Sequence, residues 1–172
     1  MIEMRTRRLT VGDSDQARAM FAMMAAVFEE ESAYLSDGYL DSLLSRDDFW
    51  AIAAFMGDEI VGGVTAHTLP MTRTESAELF IYDLAVRDDQ QRQGIGRRLI
   101  ATLRDAAATA GIQVVFVPAD DDDVHALDFY RALGGEPSPV TVFTFFGDEA
   151  SNEETHEQTN GSRLGARRGP LS

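Results

Sequence analysis

Apolar residues return along this chain with two periods, and the switches between them mark out its elements. Arg5–Val11 alternates and predicts a first strand. From Asp13 the period lengthens. Ala17, Met20, Phe21, Met24, Val27 and Phe28 recur at helical spacing, a stripe that a helix buries against a core. Asp13 with Gln16 reads as the capping box of that helix. Glu29, Glu30 and Glu31 close it. Carboxylates oppose the dipole at a helix C-terminus, so they either face a cation or simply meet water. Asp37 is expected to cap a short second helix carrying Leu40, Leu43 and Leu44. Phe49–Met56 and Ile60–Thr68 flank Gly57-Asp58-Glu59 as a β-hairpin. A polar loop, Leu69–Ala77, leads into an apolar strand, Glu78–Val86. A long amphipathic helix follows from Gly94 to about Ala110, with Ile95, Leu99 and Leu103 inward and Gly111 at its C-cap. Then come a strand over Ile112–Val117, a helix over Val124–Leu133 and a last strand over Val140–Phe146. Strands and helices mixed in this order predict an α/β layered fold.

The pattern stops at Gly147. Beyond it the chain is Glu, Asn, Thr, Gln, Ser and Gly with almost no apolar residue, so residues 1–146 read as one domain and 147–172 as a polar, disordered tail. At 172 residues, 44% of them hydrophobic, the chain has ample material for a single core. Cysteine is absent, which removes disulfides, thiolate chemistry and Cys-ligated metals. His67, His125 and His156 show no ligand spacing, and no metal is expected. The formal charge of −14 argues against nucleic acid and would draw cationic partners, although taken alone it reads as a solvated surface. No apolar run approaches membrane-spanning length. Arg5, Arg7 and Arg8 have no apolar stretch behind them, so no signal peptide is read and a cytoplasmic protein is expected.

Chemistry concentrates where the central strand ends. Leu84-Ala85-Val86 runs into Arg87-Asp88-Asp89-Gln90-Gln91-Arg92-Gln93-Gly94-Ile95-Gly96, and a helix begins at once. A strand, a glycine-bearing turn and a helix in succession present free backbone N–H groups at the positive end of a helix dipole. Gly94 and Gly96 remove side chains where a diphosphate would touch the backbone, and Arg97 or Arg98 adds charge. A dinucleotide fingerprint would need Gly where Leu99 stands, and a P-loop would need Gly-Lys-Ser/Thr, which is absent.

Two further features complete the pattern. Gln91-x-x-Gly94-x-Gly96 follows a Leu-Ala-Val strand, and Phe129-Tyr130-Arg131-Ala132-Leu133-Gly134 lies downstream. Together they resemble the acetyl-CoA turn and the F-Y-x-x-x-G segment of the GNAT acetyltransferases. The resemblance implies an α/β fold with a mixed, mostly antiparallel sheet, splayed at the acetyl-CoA site and flanked by about four helices. It implies that Leu84, Ala85 and Val86 pair strand-like with the pantetheine amides. Gln91, Arg92, Gln93, Gly94, Ile95, Gly96, Arg97 and Phe129 would complete the cofactor site. It assigns Tyr130 the delivery of a proton to the departing thiolate.

An attacking ammonium must first lose a proton. Asp120, Glu78 and Asp83 are the candidate bases, and Asp83 reads equally as a hydrogen-bond hub, since a carboxylate inside an apolar strand needs a partner. Phe80-Ile81-Tyr82-Asp83-Leu84-Ala85-Val86, Arg92-Gln93-Gly94-Ile95, Ala119-Asp120 and Tyr130 further resemble the type I aminoglycoside 3-N-acetyltransferases, over about residues 5 to 146. That narrower resemblance implies a polycationic acceptor, held by Asp83, Asp120, Asp123, Glu30 and Glu31, acetylation of its 3-amine, and antibiotic resistance. Asp121-Asp122 stands where that group has Tyr-Gly, and Thr144 where an acid often occurs. Acetylation of a polyamine or a peptide N-terminus stays open, as do a non-catalytic CoA-binding module and a homodimer.

Overall fold

The computed structural model describes residues 3–147. Among them are five strands and four helices, in the order β1 (Met4–Arg8), α1 (Ser14–Val27), α2 (Asp37–Leu44), β2 (Phe49–Met56), β3 (Glu59–Pro70), β4 (Ala77–Val86), α3 (Ile95–Thr109), β5 (Val114–Phe116) and α4 (Val124–Ala132). The strands form one open sheet in chain order. Neighbours are antiparallel as far as β4, and β5 lies parallel to β4. A parallel step needs a crossover, which α3 supplies. The α/β architecture, the mixed sheet and the four helices are those read from the sequence. No helix among the described residues is long and apolar enough to cross a membrane.

The sheet divides two apolar cores. On one face Ile52, Val61, Val64, Leu79, Ile81, Leu84 and Val86 pack with Ile95, Leu99 and Leu103 of α3 and Ala126 of α4. On the other, Phe49, Ala51, Phe55 and Ala85 pack with Met20 and Met24 of α1 and Leu40 and Leu44 of α2. Both helix layers press on β3 at two adjacent glycines. A Cβ on Gly63 would stand 2.6 Å from Cγ and Sδ of Met20, and one on Gly62 3.1 Å from Cγ2 of Ile95. Only residues without side chains let α1 and α3 settle on opposite sides of the same point.

Several local readings are corrected. The helix expected from Asp13 forms with Asp13 at its N-cap, but the carboxylate does not cap it. Asp13 instead accepts from Arg7 at 2.8 and 3.0 Å and from Thr10 N–H at 2.9 Å, clasping β1 to the start of α1. The guanidinium and these hydrogen bonds hold its carboxyl below the usual range. Helix α2 is capped by Ser36, whose hydroxyl accepts from Tyr39 N–H at 3.2 Å, and Asp37 is its first residue. Strand β5 is three residues long rather than six. The last strand expected over Val140–Phe146 does not form, because the segment has no strand partner within the described chain and stands exposed. The tail beyond Gly147 lies outside the described residues.

Candidate active site

The turn between β4 and α3 is braced by its own side chains. Arg87 donates to Asp89 at 2.6 and 3.0 Å and reaches Glu59 at 3.3 Å. Gln91 Nε2 donates to the carbonyl of Val86 at 3.2 Å and to Asp88 at 3.0 Å, so this glutamine ties the turn to the strand end. Arg92 and Gly94 both take positive φ, 60° and 79°. For Arg92 that is an uncommon conformation, of the kind that concentrates at binding turns. No side chain caps α3 at Gly94. The first intrahelical bond runs from Arg98 N–H to the Gly94 carbonyl at 3.0 Å. Ile95, Gly96 and Arg97 therefore have N–H groups without an intrahelical acceptor, at the positive end of a helix 15 residues long. A Cβ on Gly94 would meet nothing within 4 Å, so the turn is open to a bulky anion. Arg97 and Arg98 are exposed beside it.

Strand β4 changes phase just upstream. Thr65 of β3 pairs with Asp83 and Ala66 with Ile81, so Tyr82 is an extra residue in β4. This β-bulge accounts for the core pattern: Leu79 and Ile81 face α3, and so do Leu84 and Val86, three residues further on rather than two. Asp83, opposite Thr65, is thereby turned toward the α1–α2 side, as is Ala85. Strand β5 pairs with β4 only at Glu78, Leu79 and Phe80. From Ile81 to Val86 the outer edge of β4 has no β5 neighbour, which is the splay expected at Leu84, Ala85 and Val86. A strand edge of this kind can hydrogen-bond an extended ligand.

Tyr130 lies on α4, packed against the core on the α3 side of the sheet. Its hydroxyl oxygen is buried and meets no hydrogen-bond partner among the described residues. Burial chiefly, then the carboxylates of Asp123 and Asp83, push its pKa well above 10.0, so the phenol stays protonated. A buried hydroxyl without a partner is costly unless a ligand meets it. Asp83 is half-buried with one carboxylate oxygen inaccessible to solvent. The Asp83 carboxylate acts electrostatically on the Tyr130 phenol, and Phe129, the residue before Tyr130, packs on the first turn of α3, its Cζ 3.2 Å from a Cβ built on Gly96.

The acidic candidates separate in the structure. Asp123 caps α4, accepting from Ala126 N–H at 3.0 Å. Asp120 is half-buried at the start of that turn, whereas Asp121 and Asp122 are exposed. Glu78 sits at the far end of β4, paired between Leu69 and Val114, some five residues and about 17 Å along the strand from Asp83. Glu30 and Glu31 are exposed beyond α1. One feature escaped the sequence. Phe49, His67, Tyr82, Phe80 and Phe116 form a row of rings across four strands, with centroid separations of 5.3, 5.8, 6.0 and 5.3 Å. Burial lowers the pKa of His67 within it. The residues lie far apart in sequence, and only the strand register brings them into line.

Comparison with known proteins adds to this geometry. Residues 15–134 match the model of the acetyltransferase (GNAT) family. An L-2,4-diaminobutyric acid acetyltransferase of Shouchella clausii (strain KSM-K16) is 29% identical over 119 residues, covering 69% of this chain and 65% of that protein. The chain spans less than two thirds of the length of the curated relatives it matches. Among solved structures, an aminoglycoside acetyltransferase from an uncultured soil metagenomic sample, in complex with sisomicin, is 33% identical with a TM-score of 0.77, over 84% of this chain and 97% of that one. A second aminoglycoside acetyltransferase from such a sample is 30% identical with a TM-score of 0.81, over 85% and 99%.

Proposed function

The chain belongs to the GNAT acetyltransferase family, and on that premise we propose that it acetylates the 3-amine of aminoglycosides and so confers resistance to them. Acetyl-CoA, the acetyl donor of the family, supplies a thioester whose acetyl carbon the amine attacks. The residues present fit it. The free N–H groups of Ile95, Gly96 and Arg97 take the diphosphate, the open edge of β4 over Leu84–Val86 takes the pantetheine amides, and Arg97 adds charge. The observation that carries the reading is the buried hydroxyl of Tyr130 beside this edge, a protonated phenol held for a departing sulfur. Asp120, half-buried at the mouth of α4, accepts the ammonium proton, directly or through water. Asp83, turned toward the α1–α2 side by the bulge, binds a second ammonium. Two neighbours described as aminoglycoside acetyltransferases at 30 and 33% identity, one with sisomicin bound, support this acceptor class. So does a net charge of −14.

A smaller diamine is the second reading, favoured by the relative that acetylates diaminobutyric acid. The deciding experiment compares gentamicin, spermidine and 2,4-diaminobutyrate at equal acetyl-CoA by CoA release. The proposal expects the highest kcat/KM for gentamicin, falling as salt screens the carboxylates. NMR of the product should place the acetyl group on the 3-amine. Turnover of either smaller amine well above gentamicin removes the antibiotic assignment and leaves the acetyltransferase.

A further inference from the structure

We propose that Tyr82, Phe80 and Phe116, with His67 beside them, form an aromatic floor on which the rings of the acceptor lie, so that these residues select ring-bearing polycations over linear amines. The inference rests on the aminoglycoside reading above and gives it residues that no local motif marks. Aromatic side chains of this size ordinarily fill cores. These do not. Phe80 and Tyr82 are half-buried yet belong to neither core of the molecule, and Phe116 is 40% exposed.

Strand register puts the rings on one side of the sheet. Phe49 is buried against α1 and α2, and its strand partner is His67. His67 pairs with Phe80, and Phe80 with Phe116. Residues directly opposite one another project to the same side, so the row lies on the α1–α2 side, as Asp83 does. Tyr82 joins it because of the bulge. Its ring centroid stands 5.8 Å from that of His67 and 6.0 Å from that of Phe80. In a regular strand Tyr82 and Asp83 would face opposite ways. The extra residue re-aims one of them, so a ring and a carboxylate from consecutive positions serve the same side. Exposure also rises along the row, from the buried Phe49 through half-buried His67, Tyr82 and Phe80 to the open Phe116.

The chemistry of this strip names its occupant. The rings carry no charge, and carboxylates border them: Asp83 follows Tyr82, and Asp120 lies a few residues beyond Phe116. Burial keeps His67 neutral at pH 7, so no cation in the row repels an approaching ammonium. The face of an aromatic ring attracts a cation, and an apolar wall with a few placed charges orients a small ligand. An aminoglycoside matches both parts. Its saturated rings present C–H faces, and its ammonium groups stand around their rims. A linear amine reaches the same carboxylates but has no ring to lay on the floor.

Steady-state kinetics of the full chain at saturating acetyl-CoA test this, with gentamicin as substrate and spermidine as substrate or as competitor. Tyr82→Leu should raise the KM for gentamicin about tenfold, and Phe116→Leu about threefold, the span of a lost ring–cation contact. Tyr82→Phe keeps the ring and should stay within about twofold of wild type. The KM or inhibition constant of spermidine should move by less than about twofold in all three, with acetyl-CoA affinity unchanged by calorimetry. Phe116 is exposed, so its variant decides the matter if Tyr82→Leu folds poorly. A gentamicin KM that stays at the wild-type value, or a rise shared equally by spermidine, overturns the floor and leaves the aminoglycoside reading standing. Wild-type protein that does not acetylate gentamicin overturns that reading and the floor together.

Discussion

A Cβ placed on Gly96 would lie 3.2 Å from Cζ of Phe129, so the second residue of α3 and the ring preceding Tyr130 are in direct contact. The helix end proposed to take the diphosphate and the turn of α4 that carries the protonated Tyr130 phenol therefore share one packing contact. Gly96→Ala forces the Phe129 ring to yield by a few tenths of an ångström, and Tyr130 moves with it. Misplacement by an ångström can cost about a hundredfold in rate, so a loss of several-fold up to about tenfold in kcat is expected. Steady-state kinetics should show kcat and the KM for acetyl-CoA changing together.

Tyr130→Phe removes one atom that meets no hydrogen-bond partner. Its kcat should fall by about a hundredfold or more, the span typical of a lost general acid, with acetyl-CoA binding intact by calorimetry. Stability should be unchanged or higher by about 1 kcal/mol, because no hydrogen bond is lost and a buried hydroxyl is relieved. The pH dependence has a definite sign. The native phenol titrates above its unfolded value of 10.0, so above that pH the unfolded chain sheds a proton that the native chain keeps. Wild-type stability should thus fall as pH rises past 10 more steeply than that of Tyr130→Phe, as melting at graded pH would reveal.

Gly94 serves the turn through its backbone. Its φ of 79° is strained for any side chain. Gly94→Val should cost about 1–2 kcal/mol of stability from that conformation alone. It should also abolish the rise in Tm that saturating acetyl-CoA gives by mass action. A ligand-induced shift retained at full size would separate the diphosphate from this turn.

The carboxylates should sort by position. Asp120→Asn should lower kcat/KM and move the acidic limb of its pH profile, as loss of a base does. Asp83→Asn should raise the KM of a polycationic amine and weaken its salt dependence, with acetyl-CoA affinity retained. Glu78→Gln, about 17 Å along β4 from Asp83, should leave both near wild type. If Glu78→Gln instead behaves as described for Asp120→Asn, the base lies at the other end of the strand.

The strand–turn–helix from Leu84 to Gly96 was legible because everything that defines it is local: an apolar run, two glycines and an amphipathic repeat. The stripe from Ala17 to Val27 was legible for the same reason. Asp13 was misread because its partner, Arg7, comes from the preceding strand, and a carboxylate beside a guanidinium serves the cross-link before the cap. Val140–Phe146 has a strand's alternation, but alternation carries no information about which edge receives it. The aromatic row from Phe49 to Phe116 depends on register, which no window of adjacent residues encodes. The bulge did leave a trace, in the apolar beat of β4 that skips from Ile81 to Leu84.

That skipped beat makes β4 two half-strands joined out of step. Removing Tyr82 alone would restore perfect alternation: Leu79, Ile81, Leu84 and Val86 would stay on the side of α3, and Asp83 and Ala85 on the other. What the deletion takes away is the bend and the added twist that a bulge gives its strand between Ile81 and Asp83. A substitution at this position alters one side chain, whereas a one-residue deletion re-aims the end of the strand. The extra residue therefore sets the direction in which Asp83–Val86 runs, and not which side each of them faces.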